Sequence, residues 1–203
     1  MARNMPLDPD ARRAQLLSAA RIVFARNGYQ ATSVADIIQS AGVARGTFYN
    51  YFESKRAVFQ AVLDELMEHI AEVVVALDVN GDVAAQLRSN LERVLRVLTS
   101  EDAARILFAD AVGLDTEGDE ALRKFYGAAT ALIVSALERG QTMGLVVVTD
   151  AQFAARCLLG MIKEPIFQAW LYGEPLDAER LVDALLPLVV GGVKFQVGPS
   201  LPD

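Results

Sequence analysis

The stretch TSVADIIQSAGVARGTFYNYFESKR, residues 32–56, decides the fold. Ser33 with Asp36 three residues on forms a capping-box pattern, in which each side chain satisfies a free backbone N–H at a helix start. Val34, Ile37, Ile38 and Ala41 then make one apolar face, and Gly42 closes the helix about nine residues after its cap. A very short turn leads to another helix over roughly 44–51. Its Ala44, Phe48 and Phe52 recur at i, i+4 and i+8 and should pack back onto the preceding helices.

Working outward, Leu16, Ala20, Val23 and Phe24 share a stripe, so a first helix is expected from about Asp10 to Asn27, with Gly28 as a left-handed cap. Ser54 caps a fourth helix whose stripe runs from Phe59 to Leu77. Its roughly 22 residues would make a rod of about 33 Å. Asn80-Gly81-Asp82 should end it. Further helices are expected at about 83–98, 101–112, 119–139, 151–172 and 177–195, jointed at Gly113, Gly118, Gly140, Gly144, Gly173 and Pro175. Val146-Val147-Val148 reads as a buried loop, and Pro165 and Pro187 should kink the last two helices. β-type alternation is nearly absent, and the fold class is all-α.

Of the 203 residues, 53% are apolar and 22% charged, which is the composition of a globular chain. The net charge is −7, yet residues 1–60 carry +4 and the remainder −11. A basic end suited to an anionic polymer therefore precedes an acidic body. The most apolar stretch, 181–193, is interrupted by Asp183 and Pro187, and Arg12, Arg13 and Arg21 break the first 25 residues. Neither a membrane span nor a signal peptide is expected, and the location expected is cytoplasmic. Cys157, the single cysteine, reads as a small buried hydrophobe, and His69, the single histidine, as a surface or groove residue. A Gly-rich phosphate loop, a nucleophile elbow and a metal-ligand spacing are all missing, so no enzyme activity, metal or cofactor is expected.

A short helix, a glycine-containing turn and a second short helix make a helix-turn-helix, whose second member enters the major groove. On that helix Gly46 and Asn50 lie opposite the apolar side, flanked by Arg45, Thr47 and Tyr49. Arg45 can reach guanine O6 and N7, Asn50 can pair with adenine, and the Thr47 methyl can meet thymine. Tyr49, Tyr51, Thr32, Ser33 and Lys55 suit phosphates.

Residues 32–38, 41–52 and 54–56 resemble the signature of the TetR family of repressors, and the likeness reaches back to Phe24 and Gly28-Tyr29. The resemblance implies a homodimer of all-helical subunits. A three-helix DNA-binding domain (1–53) would be followed by a larger helical domain (54–203) for ligand binding and dimerisation. Positions matching Arg45, Gly46, Thr47, Tyr49, Asn50, Tyr51 and Lys55 typically meet DNA in such proteins. The expected partners are double-stranded operator DNA and a small hydrophobic or amphipathic effector. Met67, Phe108, Phe125, Met161, Phe167 and Trp170 are candidates to line the effector cavity, as large or pliable apolar groups on inward stripes. Leu158, Met161, Ile162, Leu181, Leu185, Leu188 and Val189 are candidates for a four-helix dimer interface. A DNA-binding protein without a ligand, and an activator rather than a repressor, stay open.

Overall fold

The computed structural model describes residues 8–108 and 116–193; the side chains of 108, 116–119 and 192–193 lie outside that description. The described elements are α1 (Pro9–Ala31), α2 (Val34–Ala41), α3 (Arg45–Tyr49), α4 (Lys55–Val73), α5 (Val83–Leu98), α6 (Glu101–Phe108), α7 (Thr116–Thr142), α8 (Ala151–Tyr172) and α9 (Ala178–Val193). No strand occurs among the described residues, in agreement with the all-α reading. The described residues divide into two compact units, one within residues 1–69 and 100–125 and the other within 70–99 and 126–203.

In the first unit, Pro9 opens α1 where its fixed φ suits a helix and its missing N–H costs nothing. Leu16, Leu17, Ala20 and Phe24 are buried along one side. Gly28 adopts φ 76° and ψ 167°, a break in the helical path that a side chain would strain. It is not the left-handed cap expected, because ψ is extended and a last turn resumes through Ala31. Phe24, Tyr29 and Phe59 pack as an aromatic cluster, with Phe24 and Phe59 edge to face at 5.0 Å and Tyr29 and Phe59 at 4.6 Å. Buried Ala103, Ala104, Ile106 and Leu107 bring α6 against α1. The expected extension of that helix to 112, and its joint at Gly113, lie outside the described residues. Gly118 and Gly140, expected as joints, fall inside α7.

In the second unit, α4 ends at Val73 rather than near Leu77, about 28 Å after its start. The reason is a set of side chains on α5 that substitute for helical bonds. Arg93 Nε donates to the Val73 carbonyl (2.8 Å), and Asn90 accepts from the Val75 N–H (2.9 Å) and donates to the Val75 carbonyl (2.8 Å). With those groups satisfied, leaving the helix costs fewer hydrogen bonds. Asp82 then caps α5 by accepting from the Ala85 N–H. Helix α5 packs on α9, where Arg88 pairs with Asp183 (2.7 Å) and Arg96 with Glu179 (3.0 Å). Val134, Leu137 and Ala155 form a buried cluster.

Two further sequence expectations need correction in this unit. The 146–148 segment is a loop, but Val147 is 81% exposed, because only Val146 and Val148 turn toward the Val134 cluster. Cys157 is exposed rather than buried, since α8 places it on the same outward stripe as exposed Phe153 and Gly160. Helices α8 and α9 each run on through their proline, Pro165 and Pro187. The hydroxyl of half-buried Tyr126 is withdrawn from solvent, which pushes it up to about 12, and the Lys163 ammonium lies 5.2 Å from its ring centre.

Candidate nucleic-acid interface

Helix α2 is fixed at both ends by its own sequence. The Ser33 hydroxyl accepts from the Asp36 N–H (3.2 Å), and Asp36 Oδ2 accepts from the Ser33 N–H (2.8 Å) and hydroxyl (2.6 Å). The Ser33 hydroxyl first, and its backbone N–H second, hold the Asp36 carboxyl below the ordinary aspartate value. At the other end Gly42, φ 63° and ψ 34°, is left-handed, and the Val43 N–H donates to the Ile38 carbonyl (3.3 Å). Gln15 on α1 donates to the Ala41 carbonyl (2.8 Å), tying the end of α2 down.

Only three residues, 42–44, separate α2 from α3, so the two helices form the helix-turn-helix arrangement. Helix α3 is shorter than expected, with Ala44 as an extended, exposed cap residue. Ala44 precedes the helix, and so the i, i+4 spacing cannot carry it inward. Phe48 and Phe52 are buried as expected, and they fix the opposite face outward. Arg45, Gly46, Tyr49 and Asn50 are exposed there, and Thr47 and Tyr51 are half-buried. Asn50 follows the last helical residue yet keeps right-handed helical angles, φ −72° and ψ −19°, so it continues the track of α3. The Arg45 guanidinium lies 5.6 Å from the centre of the Tyr49 ring.

An open groove of about 390 Å³ runs beside this face, lined by Val34, Ala35, Ile38 and Gln39 of α2, by Val43, and by Arg45 and Tyr49 of α3. Ala35 and Gln39 were not singled out from sequence, although their i, i+4 spacing opposite the apolar stripe of α2 marks them.

The remaining residues expected at phosphates are engaged by the fold. Thr32 is 2% exposed, and its hydroxyl donates to the Gly28 carbonyl (2.6 Å). Ser33 serves the cap. Lys55 Nζ donates to the Tyr29 carbonyl (2.9 Å) and sits 4.2 Å from the centre of the Tyr29 ring. It thereby serves the carbonyl end of α1, where a cation is favoured.

The other candidates distribute as follows. Half-buried Met67 and buried Phe125 belong to the first unit. Met161, Phe167 and Trp170, all half-buried, belong to the second, where Phe167 and Trp170 stack at 6.2 Å. The Phe108 side chain lies outside the described residues. Among the dimer candidates Leu188 is 58% exposed and Leu185 is buried within its own unit. Met161, Ile162, Leu181 and Val189 are half-buried, and Leu158 packs against the Val134 cluster. Among the described residues no cluster of three metal-ligating side chains occurs, and no helix is long and apolar enough to cross a membrane.

The fold and this face define a helix-turn-helix protein. Residues 16–62 match the model of the tetR family of bacterial regulatory proteins. It is 40% identical over 68 residues to the transcriptional repressor KstR2 of Mycolicibacterium smegmatis, covering 34% of this chain and about a third (33%) of that protein. It is 25% identical over 196 residues to the transcriptional activator FasR of the same species, covering 94% of this chain and 87% of FasR. Among solved structures, the fatty acid degradation regulator FadR of Bacillus halodurans aligns with a TM-score of 0.78 over 93% of this chain and 98% of its own, at 23% identity. FadR of Bacillus subtilis in complex with stearoyl-CoA aligns with a TM-score of 0.74 over 89% of this chain and 99% of its own, at 21% identity. At such identities these structures share the fold. The curated relatives are transcriptional regulators rather than enzymes.

Proposed function

We propose that this chain is a ligand-responsive transcriptional repressor, a homodimer that holds a palindromic operator and is released by a small hydrophobic or amphipathic effector. The observation that carries the reading is the outward face of α3, where Arg45, Gly46, Tyr49 and Asn50 are exposed beside half-buried Thr47 on a packed helix-turn-helix at the basic end of an otherwise acidic chain. Arg45, Thr47 and Asn50 read bases, Gly46 admits close approach of the backbone, and Tyr49 and Tyr51 flank them. Ser33, Thr32 and Lys55 hold the elbow from which α3 projects. Residues 1–53 form the DNA-binding part and 54–203 the part that binds ligand and dimerises.

Two recognition helices grip one palindrome only if they lie one helical turn of DNA apart, about 34 Å. An effector that prefers a conformation with another spacing releases DNA, and one that binds both conformations equally releases nothing. Of the residues expected to meet it, Met161, Phe167 and Trp170 share the second unit, and Phe167 and Trp170 stack there. The stearoyl-CoA bound by Bacillus subtilis FadR is an amphipathic molecule, which supports an effector of that kind.

The test is selection of duplexes from a random pool by the full-length chain, followed by a screen of acyl and drug-like compounds for release of the selected duplex. A short palindrome and a releasing compound are expected. A stable monomer with no preference for any duplex refutes the reading. Activation rather than repression from the selected site would correct its sign, a point on which the KstR2 and FasR names differ.

A further inference from the structure

We propose that Tyr49 is a positioning residue: its ring holds the Arg45 guanidinium in place to read one guanine in each half-site. The inference rests on the operator-binding reading above and says which residue sets specificity there. Arg45 is the first residue of α3 and Tyr49 lies one turn on, so the two side chains share a face, with the guanidinium carbon 5.6 Å from the ring centre. That distance is within cation–π range. Buried Phe48 restrains the ring on one side, meeting it edge to face at 5.3 Å and 88°.

Most of the other described cations of this end are engaged elsewhere. Arg21 pairs with Asp102, Arg56 with Glu120, Arg12 with Gln15, and Lys55 with the carbonyl end of α1, while Arg13 lies over Phe52. Arg45 meets no carboxylate among the described residues, and the groove beside it is walled on the α2 side by Val34, Ile38 and Val43. A guanine edge therefore has no acid to displace. An aromatic ring engages the flat face of a guanidinium and leaves its in-plane N–H donors for O6 and N7 of the base. A long arginine side chain, restrained before binding, loses less rotamer freedom on contact.

The experiment compares full-length wild type with Arg45→Ala, Tyr49→Ala and Tyr49→Phe on a random-core duplex pool, with thermal melting to verify folding. Wild type should select a palindrome with a guanine in each half-site. Arg45→Ala should lower preference for that guanine about tenfold or more, the worth of a bidentate base contact. Tyr49→Ala should lower the preference at that same position about threefold to fivefold. Tyr49→Phe, which keeps the ring, should keep the discrimination even where it lowers overall affinity.

If Tyr49→Ala and Tyr49→Phe both weaken binding uniformly and leave the guanine preference intact, Tyr49 is a phosphate ligand. That result overturns the inference while the operator reading stands. A wild-type protein that selects no sequence overturns both.

Discussion

Replacing Lys55 by methionine keeps a stem of similar reach and removes the ammonium that serves the carbonyl end of α1. Two interactions go with it, the hydrogen bond to the Tyr29 carbonyl at 2.9 Å and the contact 4.2 Å over the Tyr29 ring. A hydrogen bond from a charged donor is worth about 1.5–3 kcal/mol when buried, and this half-exposed one about 1 kcal/mol. The cation–π contact adds roughly 0.5–1 kcal/mol. The sum, about 1.5–2 kcal/mol, lowers the melting temperature by roughly 3–8 °C in a chain of this size. Calorimetry and circular dichroism measure that fall. The same variant, titrated on a selected duplex at several salt concentrations, separates the elbow from a phosphate contact. Loss of a phosphate contact reduces the slope of log K against log salt by about 0.9, whereas loss of the elbow leaves it unchanged. An unaltered melting temperature together with a slope reduced by about one would refute the structural role of Lys55.

Gly42→Ala places a side chain at φ 63°, where no neighbouring atom lies within 4 Å of the new Cβ, so the cost is backbone strain alone. About 1–2 kcal/mol is expected, read as a lower midpoint in urea. Asp36 has its carboxyl pulled below the ordinary value, so its stabilising effect is present at neutral pH and fades as pH falls below about 4. The melting difference between wild type and Asp36→Asn should shrink on acidification, and a difference constant from pH 7 to 3 would contradict the cap. Leu188→Glu introduces a charge at an exposed apolar position of α9. Sedimentation should show a folded monomer, and an undisturbed dimer would move the interface away from α9.

The helix-turn-helix was legible because its information is local. Ser33 and Asp36 are three residues apart, Gly42 acts on its own φ, and Phe48 and Phe52 lie one turn apart. The end of α4 was not legible, because Arg93 reaches Val73 across 20 residues and Asn90 reaches Val75 across 15. An unbroken apolar stripe through Leu77 gives no sign of side chains on a later helix that replace its hydrogen bonds. The same holds for Lys55, whose partner carbonyl is 26 residues back, and which by type alone suits a phosphate equally well. Cys157 and Val147 were misplaced for a related reason: residue type sets a preference for burial, but the face on which a residue lands depends on the register of its element.

The ion pairs of Arg21 with Asp102 and of Arg56 with Glu120 bring acids from the anionic part of the sequence onto the cationic end. Each such pair contributes little to stability at a solvated surface, but it cancels a charge in the far field. If the chain holds DNA as proposed, a duplex of arbitrary sequence meets a weaker attraction than the tally of arginines suggests. On that reading encounters with the wrong site end quickly, and recognition is left to shape and base edges once the surfaces touch.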